Sequence, residues 1–456
     1  MGTGSLRSKF AYGASDLASN LSFGAIGSFL MIYYTDVVHI PAAAVGMMFL
    51  VTRIWDAITD PLMGMLIDKT HTRWGKSRPY FLWMCLPLAI MMVLTYSVPA
   101  RLSESGKLAY VYLTFMLLTM VYTAINIPVT AILPRLTADL EERTVYGVFR
   151  GIGGLAGNVI VMAATVPLAA ALGPGEPAKG YRLTMTVYAV IALLLFLFVF
   201  CSLKELSFDE GKNAKLKLTE SIGAAKGNLP WLIILAVGFL LQMHVAMRSA
   251  ALVYYCKYVL QNEGLVPVVG MLMLIMVFPM LLLPAISGRI GKRNTVIMGG
   301  CISAVGFLII WLGGTAIPVF LVGNILSIIG LSFALGLLFV LIADTVDYGE
   351  YKNGVHSEGF LSAAASFGQK MGVGLGGAAA AFVLGMGAYS GEADVQTPSA
   401  IRAIQCNYIF LPLTGFVLVI ILMCFYNLDK TAPRMMAELE ERRRRKGEAA
   451  PGQKGE

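Results

Sequence analysis

Long apolar runs, separated by short polar segments, recur from one end of the chain to the other. Two of them, at 9–35 and 41–68, are interrupted by polar residues. The others are almost continuous and lie at 79–99, 107–133, 146–172, 183–203, 229–259, 264–288, 295–314, 317–343, 358–390 and 404–428. Because each run is close to or above the roughly 20 residues with which a helix crosses a bilayer, the pattern predicts about twelve membrane-spanning helices.

The runs are continuous rather than alternating, which excludes a membrane β-barrel built from strands of about ten residues. The composition agrees, because 57% of the 456 residues are hydrophobic and 14% are charged, against about 25% charged residues in soluble proteins. The fold class is therefore an all-α polytopic membrane protein. The first residues lack the pattern of a cleaved signal peptide, so we expect none.

Lysine and arginine residues concentrate in alternate segments between the predicted helices. Basic clusters occur at 68–79, 134–150, 204–226, 288–294 and 441–447, whereas 39–44, 261–267 and 313–318 carry few or none. Basic segments stay on the cytoplasmic side of a membrane, so we expect a plasma-membrane protein with both termini cytoplasmic. Topology also explains the net charge of +8, and we expect no nucleic-acid partner.

One long polar segment divides the chain near its middle. We predict an N-terminal six-helix half at 1–203, a cytoplasmic loop at 204–228, a C-terminal six-helix half at 229–428 and a basic cytoplasmic tail at 429–456. The segments GMLIDKTHTRWGKSRP (64–79) and SGRIGKRN (287–294) share a glycine, basic residues and a turn at equivalent places. Two related six-helix halves are typical of the major facilitator fold.

Several charged residues lie inside the predicted helices, where each costs at least about 2.5–3.5 kcal/mol. They are Asp16, Arg53, Asp56, Asp60, Arg150, Arg248 and Lys370. Asp56 and Asp60 are four residues apart, so both carboxylates lie on one face of the second helix. Two neighbouring carboxylates at low dielectric either share a proton or hold a cation between them. The alternative is that Arg53 neutralises Asp56 and the group only locks the helix bundle.

Other polar residues inside the spans extend this prediction. Thr59 offers a further oxygen to a hard cation, as do Thr123 and Asn126 if the fourth helix is adjacent. Lys370 lies among glycines of the eleventh helix, where its ammonium can balance the acidic pair or bind a polar solute. Three tyrosines of the seventh helix suit either a sugar ring or the aromatic belt of the membrane interface: Tyr254, Tyr255 and Tyr258.

Short segments in both halves resemble the signatures of the glycoside-pentoside-hexuronide:cation symporter family. They are YGASDLASN (12–20), YYTDV (33–37), RIWDAITDPLMG (53–64), DKTHTRWGKSRP (68–79), INIPVTAILPRLTADLEERT (125–144) and IADTVDYGEYKNG (342–354). The resemblance covers essentially the whole chain. It implies a major facilitator fold with a central cavity that takes a sugar or glycoside together with a cation, Na⁺ or H⁺.

The resemblance also implies roles for individual residues. The cation-binding set is Asp56, Asp60, Thr59 and Thr123. The substrate-binding set is Asp16, Asn20, Tyr122, Asn126, Thr130, Arg150 and Lys370. Some positions depart from the melibiose permease of that family, because Asn126 replaces an acidic residue and Thr130 a sugar-stacking tryptophan. Ser15 likewise replaces a lysine, and Thr59 an asparagine. These differences count against melibiose and leave Na⁺ and H⁺ both open. The NIP pattern at 126–128 resembles that of xyloside and hexuronide carriers, which implies such substrates.

We expect the cation to bind first and to order the cavity for the sugar, after which the two halves rock between outward-facing and inward-facing states. Charged residues of the cytoplasmic loops would close the inner gate: Asp68, Arg73, Lys76, Arg78 and Arg143. The alternatives are an uncoupled facilitator and a carrier of an amphipathic or lipid-like solute. The four histidines lie in unrelated places, so we predict no catalytic or metal site and no enzyme activity. We expect a monomer in the lipid bilayer, without a cofactor other than the coupling cation.

Overall fold

The computed structural model describes residues 5–137, 140–205, 226–353, 358–393 and 395–429, with the single residues 431, 435, 438 and 441. The predicted cytoplasmic loop at 204–228 and the tail at 429–456 lie largely outside these residues. The described residues are almost entirely helical and contain no β-strand. The prediction of an all-α protein is confirmed.

Twelve long helical segments follow one another along the described residues. They are α1 (6–37), α2 (Ala42–Lys69), α3 (Arg78–Thr95), α4 (Glu104–Ala131), α5 (Leu140–Leu172), α6 (Pro177–Ser202), α7 (Leu229–Val259), α8 (Leu265–Ile290), α9 (Lys292–Gly313), α10 (Ile317–Asn353), α11 (Glu358–Met386) and α12 (Pro398–Cys424). Ten of these described helices, all except α1 and α11, are long and apolar enough to cross a membrane. The helices agree with the twelve apolar runs of the sequence.

Polar side chains in the loops determine where several helices begin. Ser103 Oγ accepts a hydrogen bond from the backbone N–H of Gly106 at 3.3 Å, before α4. Thr397 Oγ1 accepts one from the N–H of Ala400 at 3.2 Å, before α12. Each cap satisfies an N–H group that has no partner within its own helix.

Helix α1 departs from regular α-helical geometry in its second half. It begins as an α-helix at Leu6–Ser19 and continues through the π-helical turns Asn20–Gly24, Ile26–Leu30 and Tyr33–Val37. The hydroxyl of Tyr96 donates a hydrogen bond to the carbonyl of Ala25, between two of these turns, at 3.1 Å. Tyr33 in turn donates to the carbonyl of Tyr96 at 2.8 Å. Such turns occur mostly as single insertions and often at functional sites.

The described residues form two compact units. The first comprises residues within 1–211, 246–274 and 374–408, and the second residues within 212–245, 275–373 and 409–456. The first unit thus contains α1–α6 and one end each of α7, α8, α11 and α12. These units follow packing, whereas the predicted six-helix halves follow chain topology, and the halves stay a prediction.

The glycine repeat of the sequence has a definite geometry in the first unit. Gly75 has a φ of +106°, and the next three backbone N–H groups point at the carboxylate of Glu205. Glu205 accepts from Lys76 at 3.0 Å, from Ser77 at 2.8 Å and from Arg78 at 2.7 Å. Glu205 therefore caps the start of α3 from the segment that follows α6.

The second unit contains a related turn at Gly291, whose φ is +85°. Asp429, after α12, accepts a hydrogen bond from the N–H of Arg293 at 2.7 Å, at the start of α9. The guanidinium of Arg293 donates to the carbonyl of Cys424 at 2.7 Å, as Arg78 donates to the carbonyl of Phe200 at 2.8 Å. In each unit a carboxylate beyond the end of one helix anchors the glycine turn.

Candidate functional site

Helix α2 carries the acidic pair that the sequence singled out. Arg53 Nη1 lies 3.0 Å from Asp56 Oδ2, an ion pair one helical turn apart. Thr123 Oγ1 on α4 donates a hydrogen bond to Asp60 Oδ1 at 2.9 Å. Of the predicted cation ligands, the structure thus brings Thr123 to Asp60. The ion pair between Arg53 and Asp56, which the alternative of a purely structural role requires, is also present. With two carboxylates and one guanidinium, residues 53–60 of α2 carry a net charge of −1.

Thr59 has a different immediate environment. Its Oγ1 donates to the backbone carbonyl of Trp55 at 3.1 Å, a common contact for threonine within a helix. The oxygen keeps its lone pairs, so it retains the capacity to coordinate a cation or to accept a hydrogen bond from a water molecule.

Arg53 occupies a narrow space beside α11. A Cβ atom placed on Gly374 would lie 1.9 Å from Arg53 Cδ, closer than any side-chain carbon tolerates. The guanidinium carbon also lies 5.8 Å from the centre of the Phe23 ring on α1. Glycine at position 374 is therefore what allows Arg53 to reach Asp56 along this path.

A second ion pair joins α1 to α5. Arg150 Nε donates to Asp16 Oδ1 at 3.0 Å. Its Nη1 lies 3.5 Å from the hydroxyl of Tyr12 and 3.4 Å from Thr130 Oγ1. A Cβ atom on Gly154 would lie 2.4 Å from Asp16 Oδ2, so the glycine-rich face of α5 allows the carboxylate to approach this helix.

Polar and aromatic groups of α4 continue this surface. Asn126 Nδ2 donates to the hydroxyl of Tyr122 at 2.7 Å and lies 3.5 Å from Ser19 Oγ. The Tyr122 ring stacks on Phe23, with the ring centres 4.5 Å apart. Asn20 Nδ2 donates to the carbonyl of Asp16 at 2.9 Å. Six of the seven predicted substrate residues therefore lie on α1, α4 and the start of α5, within one unit.

The remaining predicted substrate residue belongs to the second unit. Lys370 has an exposed side chain on α11, on the part of that helix that precedes Gly374. The glycines around it allow α11 to pack closely on α7, since a Cβ on Gly372 would lie 2.3 Å from the carbonyl oxygen of Phe239.

The predicted gate residues lie in or beside the segments that join α2 to α3 and α4 to α5, within the first unit. Lys76 and Arg78 contribute backbone N–H groups to Glu205, and the side chain of Arg73 stacks on Trp74 at 4.6 Å. Arg143 donates to the carbonyl of Thr137 at 3.0 Å. Asp68 lies on α2, but its side chain falls outside the described atoms. Sequence reasoning missed Glu205, whose only signal was an acidic residue directly after the sixth apolar run.

A polar cluster centred on Asp36 lies at the C-terminal end of α1. Lys257 Nζ lies 2.6 Å from Asp36 Oδ2, and the hydroxyl of Tyr258 donates to the same oxygen at 2.7 Å. The hydroxyl of Tyr389 donates to Asp36 Oδ1. The hydroxyl of Tyr254 lies 2.7 Å from Thr35 Oγ1. Two of the three α7 tyrosines thus contact α1, and the third, Tyr255, stacks on Tyr408 with ring centres 4.6 Å apart.

Twelve long helices, ten of which are long and apolar enough to cross a membrane among the described residues, carry ion pairs and polar side chains within their length, and these features are typical of a multi-pass membrane carrier of the major facilitator type. The chain belongs to the family described as MFS/sugar transport protein, which matches residues 11–430. The resemblance to glycoside-pentoside-hexuronide:cation symporters is thereby confirmed.

Named relatives agree with this family. The chain is 39% identical over 450 residues to an isoprimeverose transporter of Lactiplantibacillus pentosus, covering 98% of this chain and 94% of that protein. It is 33% identical to a glucuronide carrier protein homolog of Escherichia coli strain K12, covering 96% of each. A crystal structure of a variant of the nucleoside transporter NupG shares the fold, with a TM-score of 0.68 at 15% identity over 92% of this chain and all of that one. The protein is a sugar transporter and not an enzyme.

Proposed function

We propose that the protein is a cation-coupled symporter that brings a neutral glycoside into the cell. The observation that carries this proposal is the position of Thr123 on α4. Thr123 contacts the acidic residue Asp60, and two residues of the proposed sugar-binding set, Tyr122 and Asn126, lie within one turn of it on the same helix. Three residues along a helix correspond to about 4.5 Å. Because Thr123 and Asn126 are this close on one helix, a displacement of α4 at the proposed cation site also moves the proposed sugar-binding residues.

The charge on α2 supports coupling to a single monovalent cation. Because Arg53 pairs with Asp56, the segment 53–60 carries one excess negative charge. One Na⁺ or one proton neutralises this charge, and an uncompensated charge within a membrane-spanning helix is costly. An inside-negative potential of about 100 mV and a tenfold cation gradient together supply roughly 3.7 kcal/mol, enough for accumulation of several hundred-fold.

The ion pair of the sugar-binding surface favours a neutral substrate. Arg150 is balanced by Asp16 and lies near two hydroxyl groups, so its charge already has a partner. A hexuronide would require a cationic group without such a partner for its carboxylate. The relative at 39% identity is named for isoprimeverose, a neutral disaccharide. We therefore propose isoprimeverose and neutral glycosides of similar size as the substrates.

We also propose where the protein is located and how it is oriented in the membrane. Both termini lie in the cytoplasm and the protein acts as a monomer in the plasma membrane. Basic loops on one side, at 68–79 and 288–294, support this orientation.

Transport into proteoliposomes tests the proposal. Uptake of labelled isoprimeverose and of a labelled glucuronide is measured with an inward Na⁺ gradient, an inward proton gradient or no gradient. We expect isoprimeverose to accumulate under one of the gradients, and Asp60→Asn to abolish accumulation. Glu104→Gln serves as the matched control, since Glu104 is exposed in the first turn of α4. Uptake that ignores both gradients and tolerates Asp60→Asn would show an uncoupled facilitator.

A further inference from the structure

The cluster around Asp36 joins segments that are far apart in the chain. Asp36 ends α1, Lys257 and Tyr258 lie near the end of α7, and Tyr389 follows α11. The Asp36 side chain is only 5% exposed, and Lys257 is 33% exposed. A buried carboxylate with one ammonium and two phenol donors is well satisfied, but the loss of any partner leaves its charge poorly compensated.

The cluster lies on the side of the membrane opposite the basic loops. Asp36 lies twenty residues beyond Asp16 on α1, about the number of residues with which a helix crosses the hydrocarbon core. The N-terminal end of α1 lies beside the predicted cytoplasmic loops, where Lys9 pairs with Glu142 at 3.3 Å. Asp36 and the short loop before α2 therefore face the outside under the predicted topology.

Close backbone contacts accompany the cluster within the same unit. A Cβ on Gly391 would lie 2.0 Å from the carbonyl oxygen of Thr35. A Cβ on Gly46 of α2 would lie 3.1 Å from Ala381 Cβ of α11, and one on Gly270 of α8 would lie 2.5 Å from Met162 Cβ of α5. Helices of the first half thus meet outer segments of the second half without room for a further side chain.

We propose that Asp36, Lys257, Tyr258 and Tyr389 form the outer gate of the transport cycle. This set, the Asp36 latch, holds the outer ends of α1 and α7 and the segment after α11 together. It has to break in every cycle so that sugar can enter from outside. The inference rests on the proposed alternating-access transport, but it concerns the conformational step rather than the coupling cation.

The local backbone provides a means of breaking the latch. Asp36 lies in the π-helical turn Tyr33–Val37, and Lys257 and Tyr258 lie in the π-helical turn Tyr255–Val259. A π-helical turn contains one residue more than an α-helical turn. When such a turn converts to α-helix, the side chains that follow it rotate about the helix axis by about 100°. Burial raises the pKa of the Tyr389 phenol, and the nearby Asp36 carboxylate raises this pKa further. The phenol therefore remains a hydrogen-bond donor at neutral pH.

Sided thiol labelling tests the gate directly. The six cysteines are replaced by alanine or serine, and Gly27→Cys is introduced as the reporter. Gly27 is exposed on α1 between Asn20 and Asp36, and a Cβ there meets nothing within 4 Å. A membrane-impermeant maleimide is applied to the outside of cells carrying the intact latch, Asp36→Asn, Lys257→Gln or Tyr389→Phe.

We expect Asp36→Asn and Lys257→Gln to raise the outside labelling rate about tenfold or more, because they destabilise the closed state. Tyr389→Phe should act in the same direction with a smaller effect. The KM for external sugar should fall together with the maximal rate, since a larger fraction of carriers is open to the outside. The double variant Asp36→Lys with Lys257→Asp should restore part of the low labelling rate.

Two further results distinguish this inference from the transport proposal. Asp60→Asn in the same background should abolish coupled accumulation without raising outside labelling. If wild-type vesicles accumulate no sugar but Asp36→Asn still raises labelling, the gate stands and the transport proposal fails. If the latch variants change neither labelling nor KM, or only lower the amount of protein in the membrane, the cluster is structural and the inference is overturned.

Discussion

Thr123 on α4 donates a hydrogen bond to Asp60 on α2 at 2.9 Å. Thr123 is buried, and the pair connects the helix that carries the acidic residues to the helix that carries Tyr122 and Asn126. A hydroxyl that donates a hydrogen bond to a carboxylate in one state can coordinate a cation through its oxygen in another, by rotation about a single bond. The pair therefore lies between the proposed cation site and the proposed sugar-binding residues of α4.

Thr123→Val tests this position, because valine preserves the shape of the side chain and removes its hydroxyl. Valine removes the oxygen that would coordinate the cation, so we expect the cation concentration for half-maximal uptake to rise by about tenfold or more, which corresponds to about 1.4 kcal/mol. The effect on the KM for sugar at saturating cation should be small. Cation activation of isoprimeverose uptake measures both.

Thr119→Val is the matched control for this prediction. Thr119 lies one turn earlier on the same helix and is buried, but its hydroxyl donates to the carbonyl of Met116 at 3.1 Å. It should leave cation activation unchanged. Equal effects of the two variants would assign the loss to α4 stability rather than to the cation site.

Asp16→Asn tests whether the balanced ion pair selects a neutral sugar. Removal of the carboxylate leaves the Arg150 guanidinium without its compensating charge. We expect uptake of isoprimeverose to fall at least about tenfold, as for loss of one partner of a partly buried pair. Competition by a glucuronide should strengthen relative to competition by isoprimeverose. Unchanged relative competition would contradict the assignment of Arg150 to substrate selection.

The sequence predicted much of the fold and the identity of the charged groups. Apolar runs of sufficient length permit only helices in lipid, so the twelve segments follow from elementary physics. The spacing of Asp56 and Asp60 places them on one face of α2 because helical geometry relates residues four apart. The neighbouring position of Thr123 depended on the packing of α4 against α2, which spacing alone does not determine.

The contacts of Asp36, Glu205 and Asp429 were not predictable in the same way. Asp36 appeared only within the segment YYTDV, and its partner Lys257 is more than 200 residues away. Glu205 and Asp429 bind backbone N–H groups, and every residue type except proline presents the same group at the donor position. A local pattern carries no signal for such partners, although the repeated glycines at 75 and 291 marked the turns that receive them.

Gly75→Ala tests the glycine turn at the start of α3. Residue 75 has a φ of +106°, and an added Cβ would lie 2.4 Å from the carboxyl carbon of Glu205. The variant should lose the cap as well as strain the backbone, so we expect a stability loss of about 2–4 kcal/mol, visible in thermal unfolding of detergent-solubilised protein. Gly175→Ala is the control, with a φ of +75° and nothing within 4 Å of the added Cβ. It should show only the backbone strain, about 1 kcal/mol.

Gly374→Ala tests whether the path of Arg53 governs the charge on α2. An added Cβ would lie 1.9 Å from Arg53 Cδ, so the side chain must leave this path and its ion pair with Asp56 weakens. The segment 53–60 then behaves as a site with more than one uncompensated negative charge. We therefore expect the cation concentration for half-maximal uptake to change at least about threefold, which corresponds to a difference of about 0.7 kcal/mol in the free energy of cation binding. Gly377→Ala, whose added Cβ makes an ordinary 3.7 Å contact with Phe49, should leave cation activation as it is. If Gly374→Ala lowers the maximal rate without changing cation activation, the close packing of α11 matters for movement alone, and Arg53 does not set the charge that the cation neutralises.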